Sequence, residues 1–115
     1  MVDLSKFDTV KGSEEGAWLE VLSPDGAEEI GAKIKLAGRD SKIMKKQQKL
    51  IAKKKQRKGF SAVEEEDATI DMLVACTLDW EGFGEGKKPL EFSADEVKNL
   101  YTRYPWIMEQ VALFI

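Results

Sequence analysis

The stretch from Arg39 to Lys58 constrains the fold more than any other part of the chain. It holds ten basic residues (Arg39, Lys42, Lys45, Lys46, Lys49, Lys53, Lys54, Lys55, Arg57 and Lys58) and one acid, Asp40, a local charge of +9. A segment so charged cannot be buried on all sides, because unpaired ammonium groups resist leaving water. Its apolar residues, Ile43, Met44, Leu50 and Ile51, form one narrow stripe at helical spacing. The spacing predicts a helix that opens at Asp40 or Ser41, runs to about Lys58 and docks by that stripe alone. Gly59 is placed to end it, with a lysine- and arginine-rich last turn complementing the negative end of the macrodipole. The rest of the chain carries eight basic and twenty acidic residues, or −12, so the formal net charge of −3 is what survives a cancellation.

A partner for the cationic helix follows directly. Ser61 with Glu64 three residues later is a capping box, and Glu64, Glu65, Glu66 and Asp67 fill a first helical turn where anions are favoured. Linked through Gly59-Phe60, the two helices are expected to lie antiparallel, the basic end beside Glu64 to Asp67. The second helix becomes apolar on nearly all sides through Ile70, Met72, Leu73, Val74, Ala75, Cys76 and Leu78. It is expected to be the most buried element, with Trp80 closing it.

Ahead of these helices, Ala17 to Leu22 (AWLEVL) suits a strand, Ser23 to Gly26 (SPDG) a turn, and Ile30, Ala32, Ile34 and Leu36 alternate as in a second strand. Gly31 marks a bulge or a close backbone approach. The first sixteen residues, with two glycines and scattered charge, predict a weakly held arm that orders on a partner. After Trp80, EGFGEGKKPLEF predicts a loop with a short extended piece at Leu90 to Phe92. Ser93 and Glu96 form a second capping box before Val97, Leu100, Tyr101 and Tyr104, and Pro105 opens a separate last helix. At 115 residues there is room for one core. The expectation is an α+β domain over 17–115, mainly helical, with an N-terminal β-hairpin followed by about four helices and preceded by the arm 1–16.

The same residues exclude most chemistry. The chain has no histidine, which removes the commonest acid/base side chain near neutral pH and the commonest metal ligand. Its one cysteine, Cys76 within MLVAC, lies in the apolar setting of a small buried hydrophobe rather than a low-pKa nucleophile. Glu64 to Asp67 with Asp71 reads as a solvated, dipole-compensating face. GFGEG lacks both GK[ST] and GxGxxG before a helix. No catalytic residue, cofactor or metal is expected, and the chain is not expected to be an enzyme. The N-terminus has no apolar h-region and the longest apolar runs are five residues, Met72 to Cys76 and Val111 to Ile115, so no membrane span is expected and the cytoplasm is the expected compartment.

One charged feature has a functional rival to simple compensation. Lys45, Lys46, Lys49, Lys53, Lys54, Lys55 and Arg57 on the basic helix 39–58 can neutralise phosphates, which makes a small nucleic-acid-binding or regulatory protein the alternative function. That segment has no aromatic side chain for stacking and no Asn, leaving Gln47, Gln48 and Gln56 as the side chains able to read base edges. Nucleic acid is therefore the weaker reading beside charge compensation or a protein partner.

The C-terminal half carries a family pattern. An apolar helix ending in Asp79-Trp80-Glu81-Gly82-Phe83 leads to a Pro-Leu-x-Phe-Ser step at Pro89 to Ser93, then a short helix, then Pro-Trp-Ile with an amphipathic tail to Ile115. In order and spacing this resembles the tail assembly chaperones of long-tailed, siphovirus-like bacteriophages. The hairpin ending in Leu36-Ala37-Gly38-Arg39-Asp40-Ser41 before a basic helix is similar more loosely, and the lysines at 53 to 55 are denser than the family pattern. The resemblance implies a non-enzymatic protein of the infected or lysogenic host cytoplasm, absent from the finished virion. It implies binding to the tape measure protein, keeping that client soluble, and recruitment of tail tube protein around it. The abrupt end at Leu113-Phe114-Ile115 is compatible with the short form of a protein that also has a frameshifted form. Such a chaperone needs exposed apolar surface flanked by charge. The candidates are Trp106, Ile107, Val111, Phe114 and Ile115 on the terminal helix, and Trp80 with Phe83 beside the glycine loop. Trp80, Trp106 and Leu100 also have a core reading, and the same apolar end is suited to self-association.

Overall fold

A computed structural model describes residues 1–57 and 59–115, and over them the chain is a mixed α+β protein. A short 3-10 turn at Leu4–Phe7 and helix α1 (Thr9–Glu15) precede strands β1 (Ala17–Leu22) and β2 (Glu29–Leu36), which pair antiparallel across the SPDG turn as the alternation predicts. The ladder register shifts between Glu20 and Leu22, opposite a stretch where Gly31 has φ +83°. This is the bulge that Gly31 marks. Helices α2 (Lys42–Lys55) and α3 (Ala62–Cys76) follow, and Ser41 and Ser61 cap them by accepting the N–H of Met44 and Glu64, each at 3.2 Å. Helix α2 ends at Lys55 rather than running on toward Lys58, and Lys58 itself lies outside the described residues.

The apolar run does not remain helical as far as Trp80. At Thr77 the backbone turns extended (φ −82°, ψ 114°), and Thr77–Glu81 forms a strand, β3, that pairs antiparallel with β2. The sheet has the order β1-β2-β3, so the hairpin is two-thirds of a sheet completed from the middle of the chain. The change has a local cause and a distant one. β-Branched Thr77 favours a strand, and with a register shift between Lys35 and Leu36 the TLDWE segment buries both Thr77 and Trp80 while leaving Asp79 and Glu81 in water. The partner, β2, lies some forty positions earlier. Past β3, Gly84–Glu85 (β4) and Lys88–Pro89 (β5) form a minimal hairpin in the segment expected to be a loop. Gly82 (φ +84°) passes so close to the Gly31 carbonyl that a Cβ there would collide with backbone.

Helices α4 (Ala94–Arg103) and α5 (Pro105–Phe114) complete the chain, α4 capped by Ser93 on the Glu96 N–H at 3.2 Å and α5 opened by Pro105 at its first turn. One face of the sheet carries the core, in which Val21, Ile34, Leu36 and Trp80 meet Leu73, Val97, Leu100, Tyr101, Ile107 and Val111. The other face is polar: Trp18, Glu20, Lys33, Lys35, Asp79 and Glu81 stand side by side, with Lys33 Nζ 3.4 Å from Glu81 and 4.6 Å from the centre of the Trp18 ring. Helix α2 is attached more lightly. Met44, packed with Ala37 and Cys76, is its one buried side chain, and Ile43 and Ile51 are half-buried.

The N-terminal segment differs from a loose arm in its second half. The first twelve side chains are exposed, but Gly38 N–H donates to the Ser13 carbonyl (3.0 Å), Asp40 N–H to Ser13 Oγ (3.2 Å) and Lys42 N–H to Glu14 Oε1 (2.6 Å). These bonds hold the end of α1 against the turn that launches α2.

A buried polar chain locks the junction of α3 and β3. Thr77 Oγ1 donates to the Leu73 carbonyl at 2.8 Å, so its single proton is used and the Tyr101 hydroxyl, 2.7 Å away, must be the donor to it. Burial pushes the Tyr101 hydroxyl up to about 12. Thr77→Val should cost about 1–3 kcal/mol in urea unfolding, because it leaves the Tyr101 hydroxyl without an acceptor, and Tyr101→Phe only about 0.5–1.5 kcal/mol. The native tyrosine keeps its proton where the unfolded one, near pKa 10, has lost it. Stability should therefore fall as pH rises from about 10 to 12, and Tyr101→Phe should flatten that part of the profile.

Candidate interaction surfaces

Two surfaces stand out, one apolar and one cationic. The apolar one is built by α5, whose sequence PWIMEQVALF is apolar on most of its circumference. The core takes Ile107 and Val111, which are fully buried. Trp106, Met108 and Ile115 are half-buried against it, while Leu113 and Phe114 remain in water, Leu113 at 88% exposure. Two open grooves flank the helix. One, of about 230 Å³, lies between α5 and the β1 turn and is lined by Leu22, Pro24, Trp106 and Leu113. The other, of about 340 Å³, lies toward α1, with Ala17, Leu36, Ala37, Phe114 and Ile115 on its walls.

Three of the seven candidate partner-binding residues are corrected by this placement. Trp80 is 6% exposed, with its indole N–H donating to the Leu90 carbonyl at 3.1 Å and its ring 5.3 Å from Phe83 and 5.6 Å from Phe92. Ile107 and Val111 face the sheet. All three are core residues with no surface to offer a partner, because α5 must bury one side to cover β1 and β2. Phe83 is half-buried and packs against Trp80. Phe114 and Ile115 share the groove toward α1, Trp106 lines the other groove at the far end of α5, and Phe83 belongs to the separate loop cluster. Leu22 and Leu113 are the surface residues that sequence reasoning missed. Leu22 sits just before the SPDG turn, where alternation places it opposite the buried Val21, and that parity was the available signal.

The groove beside the turn is fixed by a side chain that imitates a strand. Gln110 Oε1 accepts the Leu22 N–H at 2.8 Å and Gln110 Nε2 donates to the Leu22 carbonyl at 2.9 Å. Both backbone groups of the last edge residue of β1 are thereby occupied.

The cationic surface divides in two. Lys55 pairs with Glu65 (3.2 Å) and Arg57 with Glu64 (3.6 Å), and Lys54 lines a small crevice with Glu64, Asp67 and Asp71. That end is the charge compensation expected of neighbouring antiparallel helices. The other lysines are turned away from it. Lys42, Lys45, Lys46, Lys49 and Lys53 recur at helical spacing opposite Met44 and all five are exposed. Among the described residues none of the five makes an ion pair. They run along about 16 Å of helix. Their like-charge contacts at three- and four-residue spacing cost about 0.2–0.5 kcal/mol each at low salt.

Cys76 is fully buried, and burial pushes its thiol up. Among the described residues no group of three or more His, Cys, Asp or Glu side chains is placed to hold a metal ion, and no helix is long and apolar enough to cross a membrane. No protein family, curated protein or solved structure matches the chain.

The Gln110 clamp gives a local test. Gln110→Ala should speed hydrogen exchange of the Leu22 amide at least tenfold while leaving Ile34 and Leu36 amides on the protected strand β2 unchanged; equal exchange at Leu22 in both proteins would show that the clamp does not hold the edge.

Proposed function

We propose that the chain is a tail assembly chaperone of a long-tailed, siphovirus-like bacteriophage, working by stoichiometric binding and not by catalysis. Its client is the tape measure protein, which it keeps soluble in the bacterial cytoplasm while tail tube protein is recruited, and it is absent from the finished particle. Two things support this reading: the order and spacing of the elements from Asp79-Trp80 to Ile115, and the organisation of a hairpin with four longer helices. The observation that carries it is the outer side of α5, where Leu113 and Phe114 stand in water between two apolar grooves. Apolar contacts without a deep enclosed pocket suit weak, reversible capture of an amphipathic client. Burying a large side chain there contributes about 1.5–3 kcal/mol, enough for micromolar binding when a few act together. The same surface serves self-association when no client is present.

Co-expression with the tape measure protein of the same genome should raise that client's soluble yield several-fold. A Leu113→Ser, Phe114→Ser variant, altered at two exposed positions, should keep its own fold by circular dichroism and lose the effect. An unchanged client yield with the native chain would overturn the reading.

A further inference from the structure

We propose that the lysine stripe of α2 is a docking face for the phosphodiester backbone of a nucleic acid, engaged without reading base sequence. This stands on the stripe alone and is independent of the chaperone reading. Lys42, Lys45, Lys46, Lys49 and Lys53 lie opposite the side on which Met44 seats the helix, so the fold makes no use of them. The acids that compensate the helix are elsewhere. Glu64 and Glu65 take Arg57 and Lys55 on the α3 side, and Glu14 meets the backbone of Lys42 at the N-terminal end. A row of five like charges with no acid among them is left facing water.

The composition of the face selects phosphate over protein. Protein interfaces are centred on apolar and aromatic side chains and are poor in lysine. Here the exposed row is lysine, and Leu50 and Ala52 are the only apolar side chains on its margins. Lysine is a point charge that neutralises a phosphate oxygen, where paired guanine contacts call for the planar fork of arginine. No aromatic side chain lies between Arg39 and Arg57 to stack on a base, and of the three glutamines Gln47 is half-buried on the Met44 side, Gln48 is exposed on that side and only Gln56 is exposed near the row. A duplex presents one charge per about 3.4 Å of each strand, so a row of about 16 Å spans roughly five phosphates of one strand, about one for each lysine.

The test is fluorescence anisotropy of the full chain with mixed-sequence duplex DNA and duplex RNA of equal length, with poly-L-glutamate as competitor. Three to five phosphate contacts should weaken binding by about 40-fold to about 500-fold between 50 and 200 mM salt. Lys49→Gln with Lys53→Gln should lower the salt slope by about 1.8, whereas Lys87→Gln with Lys88→Gln, the same change in net charge on the β4–β5 turn, should leave it in place. Binding to one duplex or both supports the proposal and names the nucleic acid. Absence of binding at 50 mM salt, equal loss in the two double variants, or displacement by poly-L-glutamate at matched charge, which would point to an acidic protein, each overturns it. Lys49→Glu gives a second readout. It places an acid between Lys45, Lys46 and Lys53, and should raise the thermal midpoint while weakening binding; a lowered midpoint would show the stripe to be structural.

Discussion

The pairing of β3 with β2 is the constraint on which the rest of the structure depends. The C-terminal half of α3 is apolar nearly all round, and what fixes its seat is the abrupt change to extended backbone at Thr77. The Thr77 hydroxyl closes the last turn on the Leu73 carbonyl and accepts a hydrogen bond from Tyr101, so the end of α3, the start of β3 and the last turn of α4 are joined at one buried point. From there the ladder places Trp80 beside Ile34. Trp80 in turn holds the Leu90 carbonyl and gathers Phe83 and Phe92, so the loop that feeds α4 is positioned by the same strand. Helix α5 then closes over Val21 and ties itself to the sheet edge through Gln110.

What could be foreseen from the sequence was local. Ser41, Ser61 and Ser93 announce their helices because a cap needs only residues within one turn, and SPDG with Gly31 announces a bulged hairpin for the same reason. Strand β3 was hidden because a continuous apolar run has no period that separates a buried helix from a buried strand. The partner that decides the matter, β2, is remote in sequence. The same limit explains the site. Helix α5 is apolar nearly all round, so nothing in its spacing tells which residues enter the core; only its seat against β1 sends Ile107 and Val111 inward and leaves Leu113 and Phe114 outside. For Trp80 the resemblance suggests a partner contact and its apolar setting a core position, and the core prevails because its strand parity matches that of Ile34.

The basic helix shows how a net charge can conceal its parts. The structure separates the cations of the 42–57 stretch by position: Lys54, Lys55 and Arg57 lie toward the acids of α3, and five lysines form a row on the opposite side. The first group is ordinary neighbour compensation, worth little individually because the pairs are half exposed. The second group makes the helix less stable than a mixed-charge one would be, and it does so on an element held to the body by Met44 alone among its buried side chains. A chain selected only for folding has an easy remedy, an acid at any of the five positions. None is present.

Distance then decides what an approaching partner feels. Beyond about one Debye length, roughly 8–10 Å at ordinary ionic strength, the chain presents its overall charge of −3 and repels polyanions weakly. Within that distance the nearest charges dominate, and over α2 these are lysines. A partner that meets the apolar grooves of α5 and one that meets the stripe are therefore selected by different forces, the first insensitive to salt and the second governed by it. The two surfaces lie on different elements and share no exposed residue, although Ile115 of the apolar one packs against the same small cluster that seats Met44 of α2.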